Sequence, residues 1–300
     1  MTVMPTGLNR LEGQLPDELD AAPAAARIRL GTRLRRLREE AEISREKAGA
    51  AIRSSASKIS RLELGRTAIK ARDLADLLAL YGASDEAERA GMLALARHAS
   101  APGWWQGYGD AVPAWVKPYL GLEQAASLIR GYDVQFVPGL LQTPAYARAV
   151  FGLPGGSTGD QAERRVAVRM RRQEILHRAD PPYLWVVIDE SALRRPVGGT
   201  AVMRAQIEHL IEITQLRHVN IQVLPFRAGG HAAGGGPVIL LRFAGDQLPD
   251  VVYLEQLNSA LYPSRPADLT YYWNVLNQLA TEADPPIAST MILNQIRKEL

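Results

Sequence analysis

The stretch SREKAGAAIRSSASKISRLELGR, residues 44–66, constrains the chain more than any other. Ser44 is placed to cap a helix through the small residues of REKAGAAI, and Arg53-Ser54 breaks it. Ser55 caps the next helix, in which Ile59 and Leu62 share a face, and Gly65 stops it. Two helices this short and this close must cross at small side chains, and Gly49 supplies the place. Upstream, Leu30, Leu34 and Leu37 recur at helical spacing in RIRLGTRLRRLREEAEI. Downstream, Asp73–Tyr81 and Asp85–Ala99 predict two further amphipathic helices, split by Gly82-Ala83-Ser84. With Ile59 and Leu62 turned inward, Ala56, Ser57 and Lys58 point outward. They lie at the N-terminal end of their helix, the end that enters the major groove when such a pair binds DNA.

Charge agrees. From Arg27 to Arg72 there are 14 Lys/Arg against 5 Asp/Glu, an excess of nine on a chain of net charge +3. A basic segment on an otherwise acidic chain is the footprint of a module that meets a polyanion. The absence of cysteine excludes disulfides and thiolate metal sites. No apolar run approaches the roughly 20 residues of a membrane span. Residues 1–25 lack a basic-then-apolar signal pattern; they are expected to form a flexible leader on a cytoplasmic protein, associated with the nucleoid when DNA-bound.

The same residues resemble the helix-turn-helix of lambda-repressor-like (Xre) regulators, most specifically in SKISRLE-x-GR. By position, the resemblance implies that Ala56, Ser57 and Lys58 face bases and that Arg45, Arg61 and Arg66 meet phosphates, which fix register without reading sequence. Lys58 suits guanine O6/N7. Glu63 ties down the module's own bases. One departure is that Arg53 stands at the turn position the family usually gives to glycine. It must take a positive φ there, or the turn is built differently.

Beyond residue 100 the chain changes character. SAPGWWQGYGDAVPAWVKPYL, residues 100–120, is an aromatic-rich connector in which Trp104, Trp105 and Trp115 crowd together. They either wedge two domains together or wall a ligand pocket. LEQAASLIRGYD reads as a helix, and Thr143-Pro144 as a helix start. GDQAERRVAVRMRRQEILHRA reads as a long basic helix, a second DNA contact or a dimer face by its charge, with a solvated surface paired with acids elsewhere as the favoured reading. YLWVVIDE, AVMRAQIEHLIEITQL and VNIQVLPF alternate strand, helix and strand, which implies a parallel pair with a crossover. PVILLRF and VVYLEQL extend that sheet antiparallel, and two helices close the chain. The fold class expected is α+β and mostly helical: a five-helix helix-turn-helix domain over 26–99, then an α/β domain over 121–300 with a small mixed sheet.

VPGLLQTPAYARAV, DESALRRPVGG, QVLPFRAGGH and VVYLE resemble, in order, the DUF5753 domain found downstream of Xre-type modules in actinobacterial regulators. The resemblance implies a Scr1-type, antitoxin-like transcriptional regulator with a small DUF397-type protein partner. Dimerisation on two half-sites follows from the limited affinity of a single module.

Other polar groups bear on chemistry. Asp189, Glu190 and Glu255 end strands, and His231 lies in the glycine-rich RAGGHAAGGGP. Together they offer carboxylates and a histidine, yet no ligand or nucleophile spacing accompanies them. Arg194 and Arg195 precede a helix starting near Gly199-Thr200, where an anion can sit, though simple capping and turn chemistry is the favoured reading. The expectation is a double-stranded-DNA regulator with no cofactor and no metal, not an enzyme. A small-molecule sensor built on the tryptophans is the alternative, and a hydrolase-like second domain a distant one.

Overall fold

The computed structural model describes residues 23–300 apart from 66, 155, 157, 158, 246, 247 and 264. The expected leader through residue 22 and Arg66 lie outside the described residues. Helix α1 (Pro23–Glu40) starts earlier than its leucine repeat indicates, so Pro23–Ala25, expected at the end of the leader, form its first turn. It is followed by α2 (Arg45–Ala51), α3 (Ala56–Glu63), α4 (Ala71–Leu80) and α5 (Glu86–Ala99). Leu30, Leu34 and Leu37 of α1 join Ile59, Leu62, Leu74, Leu77 and Met92 in one buried core.

The five helices pack closely at glycines. A Cβ on Gly31 would stand 2.4 Å from the Leu62 carbonyl oxygen, so α1 and α3 cross backbone against backbone there. A Cβ on Gly49 would stand 2.8 Å from the Ser54 carbonyl oxygen, which explains the small residue between α2 and α3.

A 3-10 segment, Trp104–Ala111, leads to α6 (Lys117–Ala125). The backbone then turns extended at Ala126, and Leu128–Asp133 forms β1, where one continuous helix was expected. The strand was hidden because its buried positions include an arginine. Arg130 lies between the rings of Trp185 and Trp273, 4.5 and 4.8 Å from their centroids. It also donates to Asn277 Oδ1 (2.7 Å) and the Leu276 carbonyl (2.9 Å). Hydrogen bonds and ring faces replace the water such a group loses on burial.

Next come α7 (Pro144–Phe151), capped by Thr143 as expected, α8 (Gly159–Gln173), β2 (Tyr183–Asp189), α9 (Glu190–Arg194) and α10 (Thr200–Ile213). The chain ends with β3 (Val219–Leu224), β4 (Val238–Arg242), β5 (Val251–Glu255), β6 (Ala260–Leu261), α11 (Pro266–Glu282) and α12 (Pro286–Glu299). The sheet order is β3-β2-β1-β4-β5-β6. β3, β2 and β1 are parallel, and β4 to β6 add antiparallel. Strand alternation splits the second domain into two cores. Ile129, Val186, Ile188 and Tyr253 face α6, α8 and α10, whereas Tyr132, Val187, Leu240 and Val252 face α11.

Candidate nucleic-acid interface and C-terminal cavity

Ser44 Oγ accepts from the Lys47 amide (3.2 Å) and Ser55 Oγ from the Lys58 amide (3.3 Å), so both short helices start where their caps were expected. Between them Arg53 has φ 53°, the positive value its place in the turn demands. Ile59 and Leu62 are buried. The opposite face of α3 carries Ser57 and, one turn on, Arg61, both exposed; Ala56 and Lys58 flank it half-buried. Arg61 makes no ion pair among the described residues and shares the outward stripe with the base-facing candidates.

Two acids organise these bases. Glu63 is buried and receives Arg38 through both carboxylate oxygens, Nε to Oε1 at 2.5 Å and Nη2 to Oε2 at 3.2 Å. Arg45 Nε adds a contact at 3.0 Å to Oε2. Arg38 also donates to the Ile43 carbonyl (2.9 Å), and its pKa is raised by the bond to Glu63 in spite of burial. Glu63 thus bolts the ends of α1, α2 and α3 together, as the sequence suggested, and holds Arg45 at the rim. The second acid, Asp73, was not anticipated: its Oδ2 lies 3.2 Å from Lys58 Nζ.

The aromatic connector does not enclose a pocket by itself. Trp105 is buried in the core that also takes Ala25 of α1, and Trp104 meets it edge-on at 5.9 Å. These two act as the wedge. Trp115 stands apart from them, in the wall of a cavity of about 560 Å³ between α8 and the sheet.

That cavity has Ile129, Gly131, Ile239 and Tyr253 as its floor and Phe136 and Phe151 on its sides. The basic helix α8 turns Arg165, Arg169 and Arg172 into it, so the expected solvated surface holds only for its other face. Arg172 forms a two-pronged pair with Glu123 of α6 (2.9 and 2.7 Å), and Tyr119 donates to the same carboxylate at 2.5 Å. Burial opposes the Arg172 charge, but the charge of Glu123 and its hydrogen bonds outweigh it and raise the pKa. Arg169 donates to Gln142 Oε1 (3.1 Å) and lies 5.0 Å from the Phe151 ring centroid. Burial, then the neighbouring Arg172, lowers its pKa to about 10. A Cβ on Gly139 would stand 2.6 Å from Arg169 Nη1, so the glycine of VPGLLQ makes room for this guanidinium.

Asp133 and Glu255, at the C-terminal ends of β1 and β5, line the far end. β1 and β5 run the same way on either side of β4, and the register sets both residues level with Pro237 on one sheet face. Two strand spacings separate them, about 10 Å. Burial pushes the Asp133 carboxyl up to about 7; Arg169 opposes that shift and Glu255 adds to it.

The remaining candidates do not join this site. His231 Nε2 lies 3.2 Å from the Tyr132 hydroxyl, which donates to Asp189 Oδ2 at 3.2 Å, on the α11 face of the sheet. Alternation puts Tyr132, and with it Asp189 and His231, on the face opposite Glu255, so of these strand-end acids Glu255 does not join the histidine. Arg194 turns from the α10 start to Glu190 and Glu299, 2.6 Å from each, and Arg195 is exposed. Among the described residues no group of three His, Asp or Glu is arranged to hold a metal ion, and no helix is long and apolar enough to cross a membrane.

Comparison with curated proteins and with solved structures finds no match. Two family profiles match: a helix-turn-helix domain over residues 29–91, and the domain of unknown function DUF5753 over residues 116–295. The first runs from within α1 to the start of α5, and the second covers more than half of the chain, including α6, β1, α7, α8, β4 and β5 around the cavity but not Trp115. The chain belongs to the DUF5753 family and carries an N-terminal helix-turn-helix domain of the kind that binds DNA.

Proposed function

We propose that the chain is a sequence-specific, Xre-type transcriptional regulator in which α3 is the recognition helix. The observation that carries this reading is the outward stripe of α3. Ser57 and Arg61 are exposed along it, Lys58 is beside them, and Arg45 is held at its rim by a buried carboxylate. Lys58 and Ser57 read base edges, and Arg45, Arg61 and Arg66 neutralise phosphates. The protein acts in the cytoplasm as a homodimer on two half-sites, without catalysis or cofactor. The resemblance adds an antitoxin-like role with a small DUF397-type partner that binds the second domain.

A second reading is favoured by the cavity: the second domain senses a small molecule. α6 supplies Tyr119 and Glu123 to the cavity and also packs on α1, whose Gly31 abuts α3. The test is selection of duplexes from a random pool with the full chain. An enriched inverted repeat with half-site centres about one helical turn apart is expected; an unenriched pool would overturn the reading.

A further inference from the structure

We infer that the cavity between α8 and the sheet is a binding site for a small organic anion with an aromatic or apolar body. Arg165 and Trp115, both in its wall, carry buried donors, Nε and Nε1, that have no acceptor. Buried donors without partners are uncommon and costly, so two on residues that line one cavity mark where a small shift of Arg165 or Trp115 meets an acceptor-rich group. Arg165 and Arg169 form no salt bridge with protein carboxylates among the described residues, which leaves two guanidiniums for that group. Arg172, by contrast, is saturated by Glu123 and serves as wall.

The rest of the cavity suits the body of such a molecule. Phe136, Phe151 and Tyr253 line it with aromatic carbon, and Gly131 leaves the floor without a side chain. A volume of about 560 Å³ lies within the range of small-molecule sites. The carboxyl of Asp133 keeps its proton more readily than an ordinary aspartate, so it adds a donor at the far end and limits repulsion of an anion.

The inference deepens the sensor reading above and rests on it for its consequence, though not for the binding itself. It is tested by calorimetric titration of the full chain with 2-naphthoate and with its neutral amide, 2-naphthamide. Naphthoate should bind saturably at one site per chain, and naphthamide about tenfold or more weaker. Arg165→Gln should weaken naphthoate by a similar factor. Gly131→Val, whose Cβ would meet neighbours at an ordinary 3.6 Å, should fill the floor and weaken both probes. Circular dichroism checks that each variant is folded. No saturable binding, equal affinity for acid and amide, or binding unchanged in both variants would overturn the inference. Duplex binding by the same preparations separates the two ideas: naphthoate binding without DNA binding keeps the site and removes the regulator.

Discussion

Lys58 of α3 reaches the first turn of α4, where its ammonium lies 3.2 Å from the carboxylate of Asp73. The residue proposed to read bases is thus held by an acid that it would leave, or share, on reaching DNA. Replacing Asp73 with Asn frees Lys58 and removes a negative charge near the phosphates. Affinity for any duplex should rise roughly two- to tenfold, as expected for release of a partly exposed ion pair. Lys58→Ala should instead cost about 1–3 kcal/mol on the preferred duplex and far less on a scrambled one. Fluorescence anisotropy on both duplexes checks the pair. Equal losses on the two would remove Lys58 from base reading.

Glu63 has a different role. Its carboxylate accepts three hydrogen bonds from Arg38 and Arg45, and Arg38 is itself buried. Glu63→Ala strands a buried cation and should destabilise the helical module by about 3–5 kcal/mol. Arg45→Ala, at the exposed rim, should cost less than about 1 kcal/mol. Hydrogen exchange of the α1 and α3 amides measures both.

Arg53 holds a left-handed conformation that suits glycine. Its contact with Asp76, at 3.6 Å between exposed groups, offsets little of that strain. Arg53→Gly should therefore stabilise the module by about 0.5–1 kcal/mol, seen as a higher midpoint of thermal unfolding. An unchanged or lower midpoint would mean that the turn carries no strain.

How much of this was legible beforehand depended on the kind of signal. Caps, breaks and leucine spacing are local, so Ser44, Ser55, Ile59 and Leu62 fell where the sequence put them. The parallel β2–β3 pair was equally plain, because an amphipathic helix separates two apolar runs. β1 was not, since Arg130 is held by Trp185 and Trp273, far away in the chain. The cavity was missed for the same reason. Arg165, Arg169, Asp133 and Glu255 come from three elements that only the sheet order brings together. Trp115 was singled out, but with Trp104 and Trp105, which pack elsewhere.

Asp133 makes the stability of the second domain depend on pH. An unfolded aspartate titrates near 3.9, and the folded one near 7. The folded state therefore holds the extra proton across that window, and stability falls as pH rises from about 4 to about 7. Arg169 and Arg172 moderate the effect and Glu255 strengthens it. Asp133→Asn should flatten this slope and raise the unfolding midpoint at pH 8, relative to the unaltered chain. A slope that persists in the variant would place its origin elsewhere.

The most direct measurement is the affinity of the full chain for its preferred duplex and for a scrambled duplex across a salt series. Log K should fall linearly with log salt on both, with a slope of about −0.9 per phosphate neutralised. The selected duplex should be preferred by about a thousandfold or more at physiological salt. Equal affinity for the two duplexes, or binding that salt does not weaken, would contradict the claim that α3 reads DNA.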